Sequence, residues 1–390
     1  MAMLHNLHAR IERVYLKKYD KYLRRKVVRN HRNSFDGRFD KIIKMNNLNI
    51  DVQHDSEFNE WSSLWSTFGS APLKDMYAVF SNYVNDTRNI VPNDIARAYI
   101  EPVLTPDQYY PFYNDKNSFD LFIGREFLPQ TLFRFMNGHM LDADYELLSE
   151  DEAIDKLKNI DRFIIKPAAE WGGKDIALFS KKDGAFIDSN GEPFSIDYLH
   201  KHYQMNYIVQ ECVDQSEYIS QFNPTSVNTL RIATYRDVKT GEISVIAAVL
   251  RIGGANSVVD NTSSGGVSVS VDRDGRLGKY VCNKYGQKKP THNGIDFENN
   301  EYIIPEFDKV KDFAIKIAKR LPHMSLFAND IAITKDGTPV LIEVNTHHFS
   351  YFLYQFGGQT VFGEKTDQII KYCLEQQSKI KTYTASAYTY

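Results

Sequence analysis

The sequence predicts an α+β fold of two lobes preceded by a helical region. Three observations support this fold class: residues 3–30 have the apolar spacing of a long helix, short strands alternate with helices from about residue 146, and two β-branched runs flank Asp336-Gly337. With 390 residues, of which 42% are hydrophobic and 25% charged, the chain is long enough for two or three lobes around a substantial core.

Basic residues are concentrated at the N-terminal end. Residues 1–45 contain thirteen Lys and Arg against four acids, although the formal net charge of the whole chain is −3. This asymmetry favours an anionic partner, because a basic amphipathic helix can lie on an anionic membrane surface or contact a lipid-linked carrier. The alternative, a solvated helix packed on its own domain, stays open.

Composition also predicts the compartment. No apolar run approaches the roughly 18–20 residues needed to cross a bilayer, and charges occupy the place of a signal peptide's apolar core. Cys212, Cys282 and Cys373 are far apart and odd in number, so neither a disulfide framework nor a zinc site is indicated. We expect a cytoplasmic protein with reduced thiols, which its basic N-terminus could hold at the inner face of the membrane.

Five segments are expected along the chain. A basic helical segment (1–55) precedes a helical region (56–111) whose aromatic stripe is predicted to be core. Residues 112–213 form the first α+β lobe and residues 214–365 the second, which is richer in strands. A helix and a tail (366–390) end the chain.

Two features of the first lobe could bind a nucleotide. Lys166 ends a predicted strand, and Gly172 and Gly173 follow it, where glycines let backbone N–H groups approach a phosphate. A strand at 207–213 is predicted to be an edge strand that crosses to the second lobe, where its exposed backbone could pair with an adenine edge. Both features also occur in α/β proteins that bind no ligand there, so a purely structural role stays open as the alternative.

In the second lobe, Arg231 and Arg251 each lie in an otherwise apolar strand. A lone strand arginine is usually a surface residue whose charged head reaches water. Two of them beside an acidic hairpin favour a site for phosphate or carboxylate. The loop at 259–266, which contains Asn261, offers hydroxyls, an amide and close backbone approach, with an ordinary turn as the alternative.

The hairpin around Asp336-Gly337 is the most informative stretch. This dipeptide favours a two-residue loop, which would fix the cross-strand register. The pairs that follow from it are Asp330 with Glu343, Ile331 with Ile342, and Ile333 with Val340.

Three oxygen-bearing side chains would then converge. Asn345 follows Glu343 by two positions, so their side chains share a face about 6.6 Å apart. Because close carboxylates repel unless a cation lies between them, and hard oxygen donors suit Mg²⁺, we predict a pair of Mg²⁺ ions bridged by Glu343, with Asp330 on one ion and Asn345 on the other. The alternative is the solvated face of an ordinary hairpin.

The order of these features over roughly residues 112–350 resembles the ATP-grasp fold, in which ATP lies between two α+β lobes. More specific motifs are Val91-Pro92-Asn93-Asp94, Asn114-Asp115-Lys116, Ser226-Val227-Asn228-Thr229-Leu230-Arg231, Val259-Asp260-Asn261 with Gly265-Gly266, and Asn329-Asp330-Ile331-Ala332. Through these motifs the chain resembles, within that superfamily, the sugar-transfer-associated ATP-grasp family, which is related to TupA-like enzymes and is associated with polysaccharide and cell-surface biosynthesis.

The resemblance implies roles for residues of the first lobe. Lys116 and Lys166 would contact the ATP phosphates. Gly172, Gly173 and the adjoining Lys174 would belong to the loop that covers the phosphates.

It also implies how the base is held. Gln210, Glu211 and the backbone of Val213 would bind adenine, and Asn261 would contribute to the nucleotide site.

The resemblance also implies the catalytic residues, which would be Arg231, Arg251 and Lys166. They would face the γ-phosphate or the acyl phosphate made from it. Asp330, Glu343 and Asn345 would hold two Mg²⁺.

The implied reaction is ATP-dependent, ADP-forming ligation, in which a carboxylate is converted to an acyl phosphate and an amine then forms an amide. We expect an amino acid or amino sugar to be joined to a uronic acid or similar carboxylate of a surface glycan, and His347 and His348 could face the acceptor. The alternatives are a kinase that phosphorylates a hydroxyl and a non-catalytic nucleotide-binding scaffold of a membrane-associated glycan synthesis complex. Only the basic first 45 residues favour nucleic acid, and we expect no such partner.

Overall fold

The computed structural model describes residues 2–35, 37–52, 55–169, 175–203, 206–255, 257, 260, 265–347 and 349–377. It confirms the predicted α+β class, with two antiparallel sheets and a helical N-terminal region. None of the described helices has an apolar stretch long enough to cross a membrane.

The helices concentrate in the first 122 residues and at the C-terminal end. They are α1 (Ala2–Ser34), α2 (Arg38–Asn46), α3 (Ser56–Ser66), α4 (Lys74–Phe80), α5 (Asn93–Ile95), α6 (Glu101–Leu104), α7 (Tyr110–Asn114), α8 (Phe119–Phe122), α9 (Glu150–Asp155), α10 (Ile196–His202), α11 (Glu217–Ser220), α12 (Phe307–Arg320), α13 (Tyr351–Phe356) and α14 (Thr366–Gln377).

The strands follow from residue 131 onward. They are β1 (Thr131–Met136), β2 (His139–Leu141), β3 (Leu147–Leu148), β4 (Arg162–Pro167), β5 (Ala177–Lys182), β6 (Ala185–Asp188), β7 (Tyr207–Glu211), β8 (Thr229–Arg236), β9 (Ile243–Ile252), β10 (Val267–Val271), β11 (Val281–Cys282), β12 (Lys288–Lys289), β13 (Thr291–His292), β14 (Ile295–Asp296), β15 (Leu326–Ile333) and β16 (Pro339–Asn345).

The first sheet has the order β3-β2-β1-β7-β4-β5-β6. Its core includes Phe163 and Phe179 from the sheet, with Ala153 of α9 and Leu199 of α10. A capping box begins α9, since the Ser149 side chain accepts from the Glu152 N–H and the Glu152 side chain binds back to the Ser149 N–H.

The second sheet has the order β12-β11-β10-β9-β8-β15-β16 and is covered on both faces. Along β8, Leu230 and Ile232 pack on the side of α12, whereas Ala233 and Tyr235 pack on the side of the N-terminal helices. All eight residues of β15 are buried, which explains its nearly continuous apolar sequence. The polar Asn329 and the charged Asp330 in this strand are therefore exceptions.

The N-terminal helices form one core with α13 and α14 on the second sheet. The predicted aromatic core is confirmed: Trp61 and Trp65 are fully buried, and the Trp61 indole donates to the Ile90 carbonyl at 2.7 Å. The predicted long helix is also confirmed. It is anchored through Arg24, whose guanidinium donates to the Ala98 carbonyl at 2.7 Å.

Candidate functional site

The hairpin of β15 and β16 places Asp330 directly opposite Glu343, as predicted. The predicted two-residue turn is wrong. Thr334 N–H donates to the Thr338 carbonyl at 2.9 Å, so the loop comprises residues 335–337. Gly337 ends it at a φ of 83°, the left-handed conformation that a three-residue hairpin loop requires at this position.

A β-bulge at Ile342 explains why the register near Asp330 is nevertheless right. The additional loop residue shifts the pairs nearest the turn by one position. Because Ile342 has no partner on β15, it shifts the pairing back by one position, so the pairs from Asp330 with Glu343 onward have the predicted register. The displaced pairs are Ile331 with Leu341 rather than Ile342, and Ile333 with Pro339 rather than Val340.

Asp330 is bound by both predicted arginines. Arg231 lies opposite it on β8 and donates from Nε to Oδ1 at 2.7 Å and from Nη2 to Oδ2 at 2.6 Å. Arg251 on β9 donates from Nη1 to Oδ2 at 2.8 Å. Arg231 Nη2 also donates to Asn345 Oδ1 at 3.2 Å, so one guanidinium connects Asp330 with the end of β16.

The charges in this cluster stabilise one another. Burial alone would raise the pKa of Asp330, but the charges of Arg231 and Arg251 hold that pKa below its ordinary value. Burial lowers the pKa of Arg231, and this effect is outweighed by the Asp330 charge, which raises it. Asp330 is therefore an anion and Arg231 a cation over the whole physiological pH range.

A second carboxylate, to which the sequence reasoning gave no role although it lies in one of the quoted motifs, completes the cluster. Asp260 Oδ1 lies 3.0 Å from Arg251 Nη2, and Asp260 accepts hydrogen bonds from the Thr229 N–H at 3.0 Å and from the Thr229 hydroxyl. Burial raises the pKa of Asp260. An acid next to the predicted Asn261 was the available signal.

Two lysines of the first lobe meet the hairpin of the second. Lys116 Nζ lies 3.2 Å from Glu343 Oε1, and its backbone N–H donates to the Ala168 carbonyl at 2.9 Å, just past β4. Lys166 is buried at the end of β4 and donates to Gln210 Oε1 at 3.2 Å. Burial, together with the Lys116 charge, lowers the pKa of Lys166 to about 8. The structure thus brings Lys116, Lys166 and Glu343 together, as the prediction requires.

A cavity lies beside this contact, between the two sheets. Lys116, Thr131 and Gln210 line it from the first lobe, and Leu341 and Ile342 line it from the hairpin. The bulged residue of β16 therefore forms part of the wall between the lobes.

The structure contradicts one part of the predicted adenine site. Strand β7 is central, between β1 and β4, so the expectation of an edge strand is wrong. Glu211 N–H donates to the Gln130 carbonyl at 2.9 Å and is not available to a base. Val213 follows the end of β7, and its role in adenine binding stays a prediction. Gly172, Gly173, Lys174 and Asn261 lie outside the described residues.

The donor set around the hairpin fits a hard cation in its chemistry. Glu343 and Asn345 carry oxygen atoms at the same end of β16, and Asp330 lies opposite Glu343. Both Asp330 oxygens already accept hydrogen bonds from guanidinium groups, so an ion at Asp330 would use a remaining lone pair or displace an arginine. Among the described residues, no group of three or more His, Cys, Asp or Glu side chains is suited to a metal ion.

A buried ion pair, also missed from the sequence, lies next to the end of β16. Arg97 donates to Glu101 at 2.6 Å and contacts His347 Nε2 at 2.7 Å, and His347 lies 3.5 Å from Asp107. Burial, with the Arg97 charge, lowers the pKa of His347 to about 3, so this imidazole is neutral. Arg97 precedes the predicted first lobe, and the sequence pattern gave no sign of it. His348 lies outside the described residues.

The structure has two α+β lobes, each with an antiparallel sheet, and lysines of the first lobe face an acidic hairpin of the second. This is the architecture of the ATP-grasp class. The chain belongs to the sugar-transfer associated ATP-grasp family, whose model matches residues 96–371. No curated protein matches the sequence.

Similar solved structures include several ATP-grasp enzymes. D-alanine–D-alanine ligase from Bacillus anthracis is 12% identical, with 68% of each chain covered and a TM-score of 0.37. Biotin carboxylase from Campylobacter jejuni is 12% identical (71% of this chain, 48% of that chain, TM-score 0.41), and N5-carboxyaminoimidazole ribonucleotide synthetase from Thermotoga maritima is 10% identical (68% and 51%, TM-score 0.37). The chain thus spans about half the length of the carboxylase and the synthetase. The family assignment depends on the family model, not on these similarities.

Proposed function

We propose that this protein is an ATP-dependent, ADP-forming carboxylate–amine ligase that acts in the synthesis or modification of a cell-surface polysaccharide. The observation that carries the proposal is the convergence of five charged side chains where the lobes meet. Lys116 contacts Glu343 across the cleft, and Arg231 and Arg251 both bind Asp330 on the adjoining strands.

The lysines and arginines suit different parts of one phosphate chain. Lys116 and Lys166 would act as point charges on the nucleotide phosphates, and the planar guanidinium of Arg231 or Arg251 would bind two oxygens of the γ-phosphate or of the acyl phosphate. Phosphoryl transfer depends mainly on positioning and on neutralising charge, which this set of side chains provides without a covalent nucleophile.

Glu343, Asn345 and Asp330 are the residues that would hold Mg²⁺, and the bound ion would neutralise negative charge on the β- and γ-phosphates. We retain the proposal of two ions. Lys116 would then leave Glu343 and contact a phosphate, because the metal ion would neutralise the Glu343 carboxylate in place of the ammonium group.

The proposed reaction has two steps. A carboxylate oxygen attacks the γ-phosphorus, the bond from that phosphorus to the β–γ bridging oxygen breaks, and ADP leaves with the electron pair. The amine nitrogen then attacks the acyl carbon, the carbon–oxygen bond to phosphate breaks, and the departing phosphate takes the proton from nitrogen. The proposed substrates are a uronic acid or similar glycan carboxylate and an amino acid or amino sugar.

A screen for ADP release tests the proposal, with amino acids and amino sugars offered against uronic acids and their nucleotide-sugar forms. Hydroxylamine in place of the amine should trap the same carboxylate as a hydroxamate. ADP release that requires only a hydroxyl acceptor and gives no hydroxamate would indicate a kinase. Nucleotide binding without ADP release above the level of Asp330→Asn and Glu343→Gln would support a nucleotide-binding scaffold rather than an enzyme.

A further inference from the structure

We propose that residues 11–22 of α1, whose described side chains are mostly exposed, dock on an anionic lipid bilayer and lie in its headgroup region. This inference is independent of the proposed ligase activity, because it concerns a surface that shares no residue with the cleft.

Burial changes sharply along α1. From Leu23 onward the helix is fixed to the protein, since Leu23, Arg24 and Val28 are buried and Arg24 donates to the Ala98 carbonyl. Before Leu23, the described side chains at 11 and 14–22 are exposed, apart from the half-buried Asp20. The two halves of one continuous helix therefore have different environments.

The exposed half carries large apolar side chains that no part of the described protein covers. Of the thirteen exposed large apolar residues in the described part of the chain, six lie within these twelve positions, and four of the six share one side of the helix. Ile11, Tyr15, Tyr19 and Tyr22 recur at helical spacing on one side, and the rings of Tyr15 and Tyr19 stack with centroids 6.2 Å apart. Such a stripe indicates a contact surface.

Cationic side chains border that stripe. Lys17, Lys18, Lys21 and Arg25 are exposed, whereas the acid Asp20 is paired with Arg24 at 2.9 Å. Tyrosine rings favour the headgroup level of a bilayer, and long lysine side chains can reach anionic headgroups while their stems cover apolar surface. The combination is typical of a helix that lies in a membrane interface.

Other occupants fit less well. Nucleic-acid phosphates would account for the lysines but would leave the aliphatic Ile11, Val14 and Leu16 in water. A second copy of the chain, paired symmetrically through this face, would bring Lys17, Lys18 and Lys21 close to the same residues of its partner, and like charges repel. Of these three occupants, an anionic bilayer alone satisfies both the apolar and the cationic residues.

Flotation of the full chain tests the proposal with two kinds of vesicle, one of phosphatidylcholine alone and one that also contains about 30% of the anionic lipid phosphatidylglycerol. We expect binding to the anionic vesicles only. Lys17→Gln/Lys18→Gln/Lys21→Gln should lower the partition coefficient about 100-fold, and Tyr15→Ser/Tyr19→Ser/Tyr22→Ser about tenfold or more. All six positions are exposed, so the melting temperature should not change.

Matched controls come from elsewhere on the surface. The charge control is Lys309→Gln/Lys316→Gln/Lys319→Gln on α12, which removes three positive charges. The apolar control is Leu121→Ser/Leu147→Ser, which removes apolar area at exposed positions. Both control variants should bind vesicles as the wild type does. Equal binding to neutral and anionic vesicles, or equal losses in the controls, would overturn the proposal. So would a dimer that the tyrosine variant dissociates, or binding of RNA in preference to vesicles.

Discussion

Arg231 and Asp330 face each other across adjacent antiparallel strands and share two hydrogen bonds, of 2.7 Å and 2.6 Å. Arg251 adds a third bond to the same carboxylate. A buried group of charges is costly to desolvate, and apolar residues of similar volume are often as stabilising or more so. We therefore propose that this cluster serves ligand binding, with Asp330 as the residue that positions both guanidinium groups.

Replacing Arg231 with lysine tests this assignment. Arg231→Lys keeps the charge but loses the planar donor pair, so we expect kcat for ADP release to fall about 100-fold or more while the fold is kept. Arg273→Lys, at a position that is 92% exposed, is the matched control and should leave kcat unchanged. Wild-type kcat in Arg231→Lys would mean that only the charge matters.

Removing the carboxylate should cost stability as well as activity. Asp330→Asn leaves two buried guanidinium groups without their shared anion, and we expect the free energy of unfolding to fall by about 3 kcal/mol or more. Arg231→Met in the same chain should recover part of this loss without restoring ATP turnover, because it removes one of the unpaired charges. Urea unfolding and an ADP-release assay measure the two effects separately. Asp330→Asn with wild-type stability would contradict the assigned positioning role.

Nucleotide affinity should depend on pH through Lys166. Its pKa of about 8 lies below the 10.5 of an exposed lysine, so the ammonium that binds phosphate is lost as pH rises above about 8. We expect the Kd for ADP to increase between pH 8 and pH 9, and Lys166→Arg, which stays charged, to abolish that dependence. Between these two pKa values the folded state binds fewer protons than the unfolded state, so the cost of burying Lys166 decreases and the free energy of unfolding should rise with pH from about 8 to 10.5. A Kd that does not change with pH in the wild type would contradict the role of Lys166.

The Arg97–Glu101 pair should be structural. Arg97→Met leaves Glu101 buried without its cation, and we expect the free energy of unfolding to fall by about 3–5 kcal/mol at pH 8. Burial raises the pKa of Glu101, and a folded pKa above the unfolded value makes stability decrease as pH rises, so the loss should be smaller at pH 5. Arg88→Met, which breaks the exposed contacts to Glu60 and Asp367, should cost about 1 kcal/mol or less. Equal losses in both variants, measured by urea unfolding, would be inconsistent with a buried pair.

The sequence predicted the elements well because their patterns are local. The β-branched runs, the helical spacing of 3–30 and the order of strands and helices all depend on neighbouring residues. The position of Asp330 opposite Glu343 was correct for a reason that the sequence does not reveal, since the three-residue loop and the bulge at Ile342 shift the register in opposite directions. A bulge depends on tertiary packing and has no reliable local signature.

The contacts that complete the site were beyond prediction from pattern alone. Lys116 reaches Glu343 from 227 positions earlier in the chain, and Asp260 reaches Arg251 from the segment that follows β9. Only the resemblance to a known family pointed to Lys116. Strand β7 was expected at an edge, but its apolar sequence suits a central strand equally well, and its true place depends on pairing with β1, which no local signal specifies.

Calorimetric titration of ADP into the full chain, with Mg²⁺ and with EDTA, tests most directly whether the charged side chains at the hairpin form a metal-dependent nucleotide site. We expect Mg²⁺ to tighten ADP binding about tenfold or more in the wild type and in Glu298→Gln, a control at an exposed position. In Glu343→Gln we expect Mg²⁺ to have no such effect. The affinity of Glu343→Gln for ADP without metal should stay close to that of the wild type. An undiminished Mg²⁺ effect in Glu343→Gln, or no ADP binding by the wild-type chain, would contradict the account.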